Sequence, residues 1–175
     1  DAKVNFIDIH YQVRMWDTII YNYLKKRNIV IPPKKRTSKS QKYAGAYVKE
    51  PKPGKYDWVV NFDLNSLYPH LIMQYNISPE TLKDDRHPTA SVDRILQEEI
   101  DFQLYKDNAV CANGAMYRKD VRGFLPELME KMYNERVIFK KRMIKAKKAY
   151  EKTATKELEK EIARCNNIQM AKKIS

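Results

Sequence analysis

The residues best suited to chemistry lie in one short run, Asp63-Leu64-Asn65-Ser66-Leu67-Tyr68-Pro69. The stretch before it, Tyr56 to Asp63 (YDWVVNFD), is rich in aromatic and β-branched residues and reads as a buried strand. LNSLYPHLIMQY follows at once and reads as a helix, with Pro69 tolerated in its first turn. A carboxylate at a strand end can hold Mg²⁺, a hard ion that takes oxygen ligands and shares substrate phosphates. The unpaired N–H groups of the helix start form an anion site suited to a triphosphate tail. The same residues admit a plain structural reading, in which Asp63 and Asn65 cap the helix and Tyr68 packs in the core. A second pair, Arg136 and Lys140, is spaced i, i+4, so both side chains leave one helix face. Arginine can clasp a phosphate bidentately and lysine can act as a point charge, although a solvated helix face also accounts for that spacing.

The elements that must position these groups can be read along the chain. Ile9, Val13, Trp16, Ile19, Ile20, Tyr23 and Leu24 fall at helical spacing, which predicts an amphipathic helix from Ile7 to Lys26. A short apolar run, Asn28 to Ile31, is closed by Pro32-Pro33, and Lys34 to Lys42 forms a basic connector. The polar segment from Asp84 to Leu104 is expected to hold one helix. No strand is expected ahead of Asp84-Asp85, so that pair is not taken as a metal-binding substitute. Asn113-Gly114, between short apolar runs, predicts a β-hairpin. Gly123-Phe124-Leu125-Pro126 opens a helical stretch to about Tyr150, and a second runs from about Thr155 onward. With a turn near Thr153, Arg136 and Lys173 stand ~25 and ~30 Å from it along antiparallel helices, at ~1.5 Å per residue. Such a hairpin gathers Arg136, Lys140 and Lys173 around one phosphate chain.

Charge narrows the partner. The chain of 175 residues carries 34 Lys+Arg against 22 Asp+Glu, a formal charge of +12, which favours an anionic partner such as nucleic acid. From Glu130 to Ser175 fourteen Lys and Arg face six acids; snorkelling lysines on a solvated hairpin explain this as readily as a binding face. Only four glycines are present, which argues against a Gly-rich phosphate cradle. Cys111 and Cys165 have no metal-ligand spacing, so a reduced, intracellular protein without a zinc site is expected. No apolar run approaches the ~20 residues of a membrane span. The chain opens on Asp1 and stops at Ser175 inside a helical stretch, so a piece of a longer protein is expected.

The stretch NFDLNSLYPHLIMQYNISPETL resembles, nearly residue for residue, the motif A region of family B DNA polymerases, and QYNISPETL resembles the T-even-type phage branch. The resemblance implies that Asp63 binds both catalytic metals and that Leu64 offers a metal-binding carbonyl. It implies that the amides of Ser66 and Leu67 meet the triphosphate. Tyr68 would lie under the sugar and clash with a ribose 2′-hydroxyl. His70 departs from the family, which usually has Ser there. YAGAYVKEPKPGKY is similar to the element where exonuclease, palm and template meet, implying template contacts by Tyr43, Gly45 and Ala46. WDTIIYNYLKKRNIVIPP is similar to the helix joining the exonuclease to the N-terminal domain. NGAMYRKDVRGFLPELMEKMYNERVIFKKR is similar to the palm hairpin and first fingers helix, which makes Arg136 and Lys140 nucleotide contacts. NIQMAKKIS resembles the start of motif B, implying Lys173 as the nucleotide-contacting lysine, with Lys172 as runner-up.

The resulting expectation is an α+β fragment of a multidomain polymerase. It divides into a linking helix (1–34), a connector (35–56), a palm segment with motif A (57–122) and fingers (123–175). Two Mg²⁺ ions, primer–template DNA and deoxynucleoside triphosphates are implied, with a sliding clamp and replisome proteins meeting regions outside this chain. The implied setting is the cytoplasm of an infected bacterial host, with no membrane partner. The Asp-Thr-Asp motif that completes the family's metal site does not occur here, so the chain alone is expected to be inactive. Two rivals remain: a nucleic-acid-binding module without chemistry, and a basic helical-hairpin interaction protein.

Overall fold

The computed structural model describes residues 3–31, 33 and 48–173. Tyr43, Gly45 and Ala46 lie outside the described residues. The chain divides into two compact units, residues 1–57 and 58–175.

In the first unit a 3-10 turn over Phe6–His10 precedes helix α1 (Gln12–Lys25). The helix therefore starts five residues after the expected Ile7. Extended Tyr11 (φ −111°, ψ 97°) separates the two pieces, and its N–H closes the 3-10 turn on the Asp8 carbonyl. Arg14 then reaches back to Asp8 at 2.9 Å and over the Tyr11 ring at 4.7 Å, which holds the break. At the other end Asn28 adopts φ 56°, and the Ile29 N–H returns to the Leu24 carbonyl at 3.1 Å. That left-handed closure satisfies carbonyls the last helical turn leaves open.

The second unit contains α2 (Leu67–Gln74), β1 (Leu82–Arg86), α3 (Val92–Leu96), β2 (Asn108–Val110) and β3 (Ala115–Arg118). Two long helices follow, α4 (Phe124–Lys152) and α5 (Lys156–Ala171). The strands form one antiparallel sheet in the order β1-β3-β2. The β2–β3 hairpin turns as expected at Asn113-Gly114. Gly114 takes φ 82°, and a Cβ there would stand 3.0 Å from the His87 carbonyl oxygen, so the position needs glycine. The Asn113 side chain accepts the Ala115 N–H at 3.0 Å.

Two expectations need correction. Tyr56 to Asp63 forms no strand, and its side chains stand in solvent, with Trp58 98% and Phe62 90% exposed. β-branched composition marks what fits a pleated surface, but a strand exists only where a neighbour completes its ladder. The one sheet among the described residues does not pair with this segment. Conversely, Asp84 and Asp85 do lie on a strand, β1. That strand is polar and mostly exposed, so no apolar alternation announces it; its ladder is supplied by β3. The helix expected between Asp84 and Leu104 is α3, capped by the Ser91 hydroxyl, which accepts the Arg94 N–H.

The two long helices pack as an antiparallel hairpin, as their spacing predicts, burying Ala146, Cys165 and Gln169. Thr155 caps α5 by accepting the Leu158 N–H. The base of α4 is tied down by the loop after α2. Asn76 (φ 54°) donates to the carbonyls of Arg118 and Val121 at 2.6 and 2.8 Å and accepts the Gly123 N–H at 2.9 Å. Glu80 accepts the Phe124 N–H at 2.6 Å, and the Ser78 hydroxyl donates to Glu80. The Thr81 hydroxyl donates to the Asn76 carbonyl at 2.6 Å. These contacts satisfy N–H groups at the start of α4 that no helix satisfies internally, and they place a carboxylate at the positive end of a long helix.

Candidate functional site

The local geometry begins at Ser66. This residue adopts the left-handed conformation (φ 54°, ψ 47°) immediately before α2, a conformation that costs a non-glycine residue roughly 1–3 kcal/mol. The turn redirects the chain from the Asp63 segment into the helix. No side chain caps α2, and Pro69 in its first turn has no N–H to satisfy. The Ser66 carbonyl is doubly held, by the His70 N–H at 3.2 Å and by His70 Nδ1 at 2.8 Å. A carbonyl only accepts, so His70 Nδ1 carries the hydrogen in this contact.

Helix α2 packs on α4, and this brings residues seventy positions apart together. Arg136 Nη1 lies 3.4 Å from the Ser66 hydroxyl, whereas Arg136 Nε is buried with no hydrogen-bond partner. Ser66, Pro69, Tyr133, Arg136 and Lys172 line one small cleft. Beside it, Asn65, Tyr133, Arg136, Lys140 and Lys141 line an open groove of about 270 Å³. Lys140 thus faces the same groove as Arg136, as the i, i+4 spacing predicts. Lys172, not Lys173, lines the cleft, and its ammonium binds Glu135 at 2.5 Å. Lys173 follows α5 and is exposed. Arg136 and Lys140 thus share one groove from α4 alone, and Lys172 at the end of α5 meets Arg136 only in the neighbouring cleft.

Asp63, Leu64 and Tyr68 are on the surface; Leu64 and Tyr68 are each 71% exposed. Tyr68 is thus not a core residue of this chain. Among the described residues no group of three His, Cys, Asp or Glu side chains could hold a metal ion. An exposed carboxylate beside an exposed backbone carbonyl still suits Mg²⁺, which binds through one or two carboxylates and takes its remaining ligands from water and phosphate. Asp63 and Leu64 fit that pattern as part of a coordination sphere.

Three contributors escaped the sequence reading. His70, which looked only like a departure from the family, holds the Ser66 turn and sets its ring edge-on to Tyr133 at 4.8 Å. Glu135 carried no signal beyond its place next to Arg136. Asn76 sits within a stretch noted only for its resemblance, yet it organises the base of α4.

The chain resembles known proteins along most of its length. The profile of DNA polymerase family B matches residues 9–174. A DNA-directed DNA polymerase of Escherichia phage RB69 is 39% identical over 148 residues, 84% of this chain and 16% of that protein. That of Enterobacteria phage T4 is 38% identical over 147 residues, 81% of this chain and again 16% of its own length. A DNA polymerase of Pyrococcus horikoshii is 35% identical over 112 residues, 64% of this chain and 8% of that protein. The chain therefore spans only about a sixth of the phage polymerases it matches. No described helix is long and apolar enough to cross a membrane. With a match of this extent, and with the Ser66 turn and the α4–α5 hairpin meeting at Arg136, the chain belongs to DNA polymerase family B.

Proposed function

We propose that this chain is the part of a replicative DNA-directed DNA polymerase that receives the incoming deoxynucleoside triphosphate. The observation that carries the reading is Arg136: one nitrogen reaches Ser66 while another is buried and unpaired. Buried donors are nearly always satisfied, and the open groove beside the cleft, lined by Asn65, Arg136 and Lys140, has the room for a phosphate to meet the guanidinium. The amides of Ser66 and Leu67 take the triphosphate tail, while Arg136, Lys140 and a lysine at the end of α5 (Lys173 by motif register, Lys172 by position) neutralise charge on the leaving phosphates. Tyr68 is the floor beneath the sugar. Tyr43, Gly45 and Ala46 contact the template backbone.

Asp63 and the Leu64 carbonyl hold Mg²⁺, with a further carboxylate supplied from outside this chain. When bound, the two ions activate the primer 3′ oxygen and stabilise the leaving pyrophosphate. Residues 57–122 then form part of a palm and residues 123–175 the fingers, with 1–34 and 35–56 as linking helix and connector. The setting is template-directed primer extension in an infected bacterial cell, with clamp and replisome contacts made by other regions.

The experiment uses Tyr68→Ala in the complete polymerase. Without its ring the 2′-hydroxyl of a ribonucleotide no longer tilts the sugar, and misplacement of about 1 Å is worth on the order of a hundredfold in rate. Single-turnover incorporation of matched ribo- and deoxynucleotides should show discrimination falling by up to that factor. An unchanged ratio sinks the sugar-floor role. Residues 1–175 alone should not extend a primer with Mg²⁺ and all four deoxynucleotides, and robust templated synthesis by them would overturn the need for an outside carboxylate.

A further inference from the structure

We infer that His70 is a positioning residue that holds the Ser66 turn in its ligand-ready, left-handed form; the inference rests on the reading of that turn as a triphosphate site. A serine at φ 54° persists only where its surroundings over-determine it. Here the determinants can be named. The Ser66 carbonyl is pinned by the backbone N–H and by the Nδ1–H of one residue, His70. The first of these is an ordinary helical hydrogen bond that any residue but proline supplies. The second belongs to the histidine side chain, and only a side chain with a donor on its δ atom reaches this carbonyl in the same way.

The imidazole is anchored on its other side as well. Its plane meets the Tyr133 ring edge-on, 81° from parallel with centroids 4.8 Å apart, a favourable arrangement of ring quadrupoles. Tyr133 is one helical turn before Arg136 on α4, and both line the cleft against Ser66. His70 therefore connects the turn that presents the helix amides to the helix that presents the guanidinium. Freed from His70, Ser66 can relax toward the extended region, which swings its carbonyl and the following amides away from Arg136.

Two measurements on the 175-residue chain test this. The first is the tautomer of His70, read from the ¹⁵N shifts of its ring. A hydrogen bond to a carbonyl through Nδ1 requires the neutral ring to be the Nδ1–H form, and an Nε2–H form overturns the inference. The second is dATP affinity in His70→Ala, His70→Phe and His70→Asn, with thermal melts run alongside. Asparagine carries an amide nitrogen bonded to Cγ, as Nδ1 is, so it can restore the donor without the ring; phenylalanine restores the ring without the donor. Loss of one such hydrogen bond should weaken dATP by about three- to tenfold in the Ala and Phe variants, with Asn within about twofold of wild type. An Asn variant as weak as Ala, or an Ala variant that binds like wild type, overturns the positioning role. Failure of the wild-type chain to bind dATP would instead overturn the triphosphate reading, and the tautomer would still decide whether His70 holds the turn.

Discussion

Two polar sites at opposite ends of α2 are built from similar residues and differ in one respect. At the loop that follows α2, Asn76 uses both amide hydrogens and its oxygen, and Glu80 and Ser78 complete the start of α4. Asn76, Ser78 and Thr81 are 5%, 2% and 1% exposed. At the turn that precedes α2, Ser66 and Arg136 touch, yet Arg136 Nε is buried and unpaired and the helix start is uncapped. A buried polar group without a partner costs about 1–3 kcal/mol. The joint is saturated, whereas Arg136 Nε has no partner, and the proposed phosphate contact rests on that difference.

The contrast can be broken by substitution. Asn76→Ala should cause the largest effect, because it strips partners from Gly123, Arg118 and Val121 at once. A loss on the order of 3 kcal/mol is expected, read as a lowered denaturation midpoint; a change below about 1 kcal/mol would mean that water replaces the joint. Gly123→Ala probes the same place by volume. Its backbone (φ −69°, ψ 152°) suits alanine, but the added Cβ would stand 2.5 Å from Ser78 Cβ. Overpacking of this kind costs about 1–3 kcal/mol, again read as a lowered denaturation midpoint.

At the other site the expected stability change is smallest. Arg136→Met keeps the bulk of the side chain and removes the unpaired donor. Stability should stay within about 0.5 kcal/mol or rise slightly, while dATP affinity falls by tenfold or more, as loss of a charge-assisted contact implies. A variant that unfolds as readily as Asn76→Ala would make Arg136 a structural residue and erase the distinction.

Much of this was legible in the residues themselves. Asn-Gly places a hairpin because few residues tolerate positive φ, and Gly114 takes it. The uninterrupted helix formers after Pro126 place α4 to within two residues of its end, and the break at Thr153 places the turn. The i, i+4 spacing of Arg136 and Lys140 puts both on the groove because helical periodicity is a local property.

What escaped depends on neighbours distant in the chain. Trp58 to Phe62 has every local mark of a strand and pairs with none of the described residues, whereas Leu82 to Arg86 has almost none and pairs with β3. Which of Lys172 and Lys173 reaches the cleft turns on how the chain leaves the end of α5 beside α4, which no local pattern fixes. Chain chemistry alone singled out the candidates for metal and phosphate binding. Only the tertiary structure decided that Ser66, seventy residues away, meets Arg136, because close packing and long-range hydrogen bonds select one arrangement from many that local preference allows.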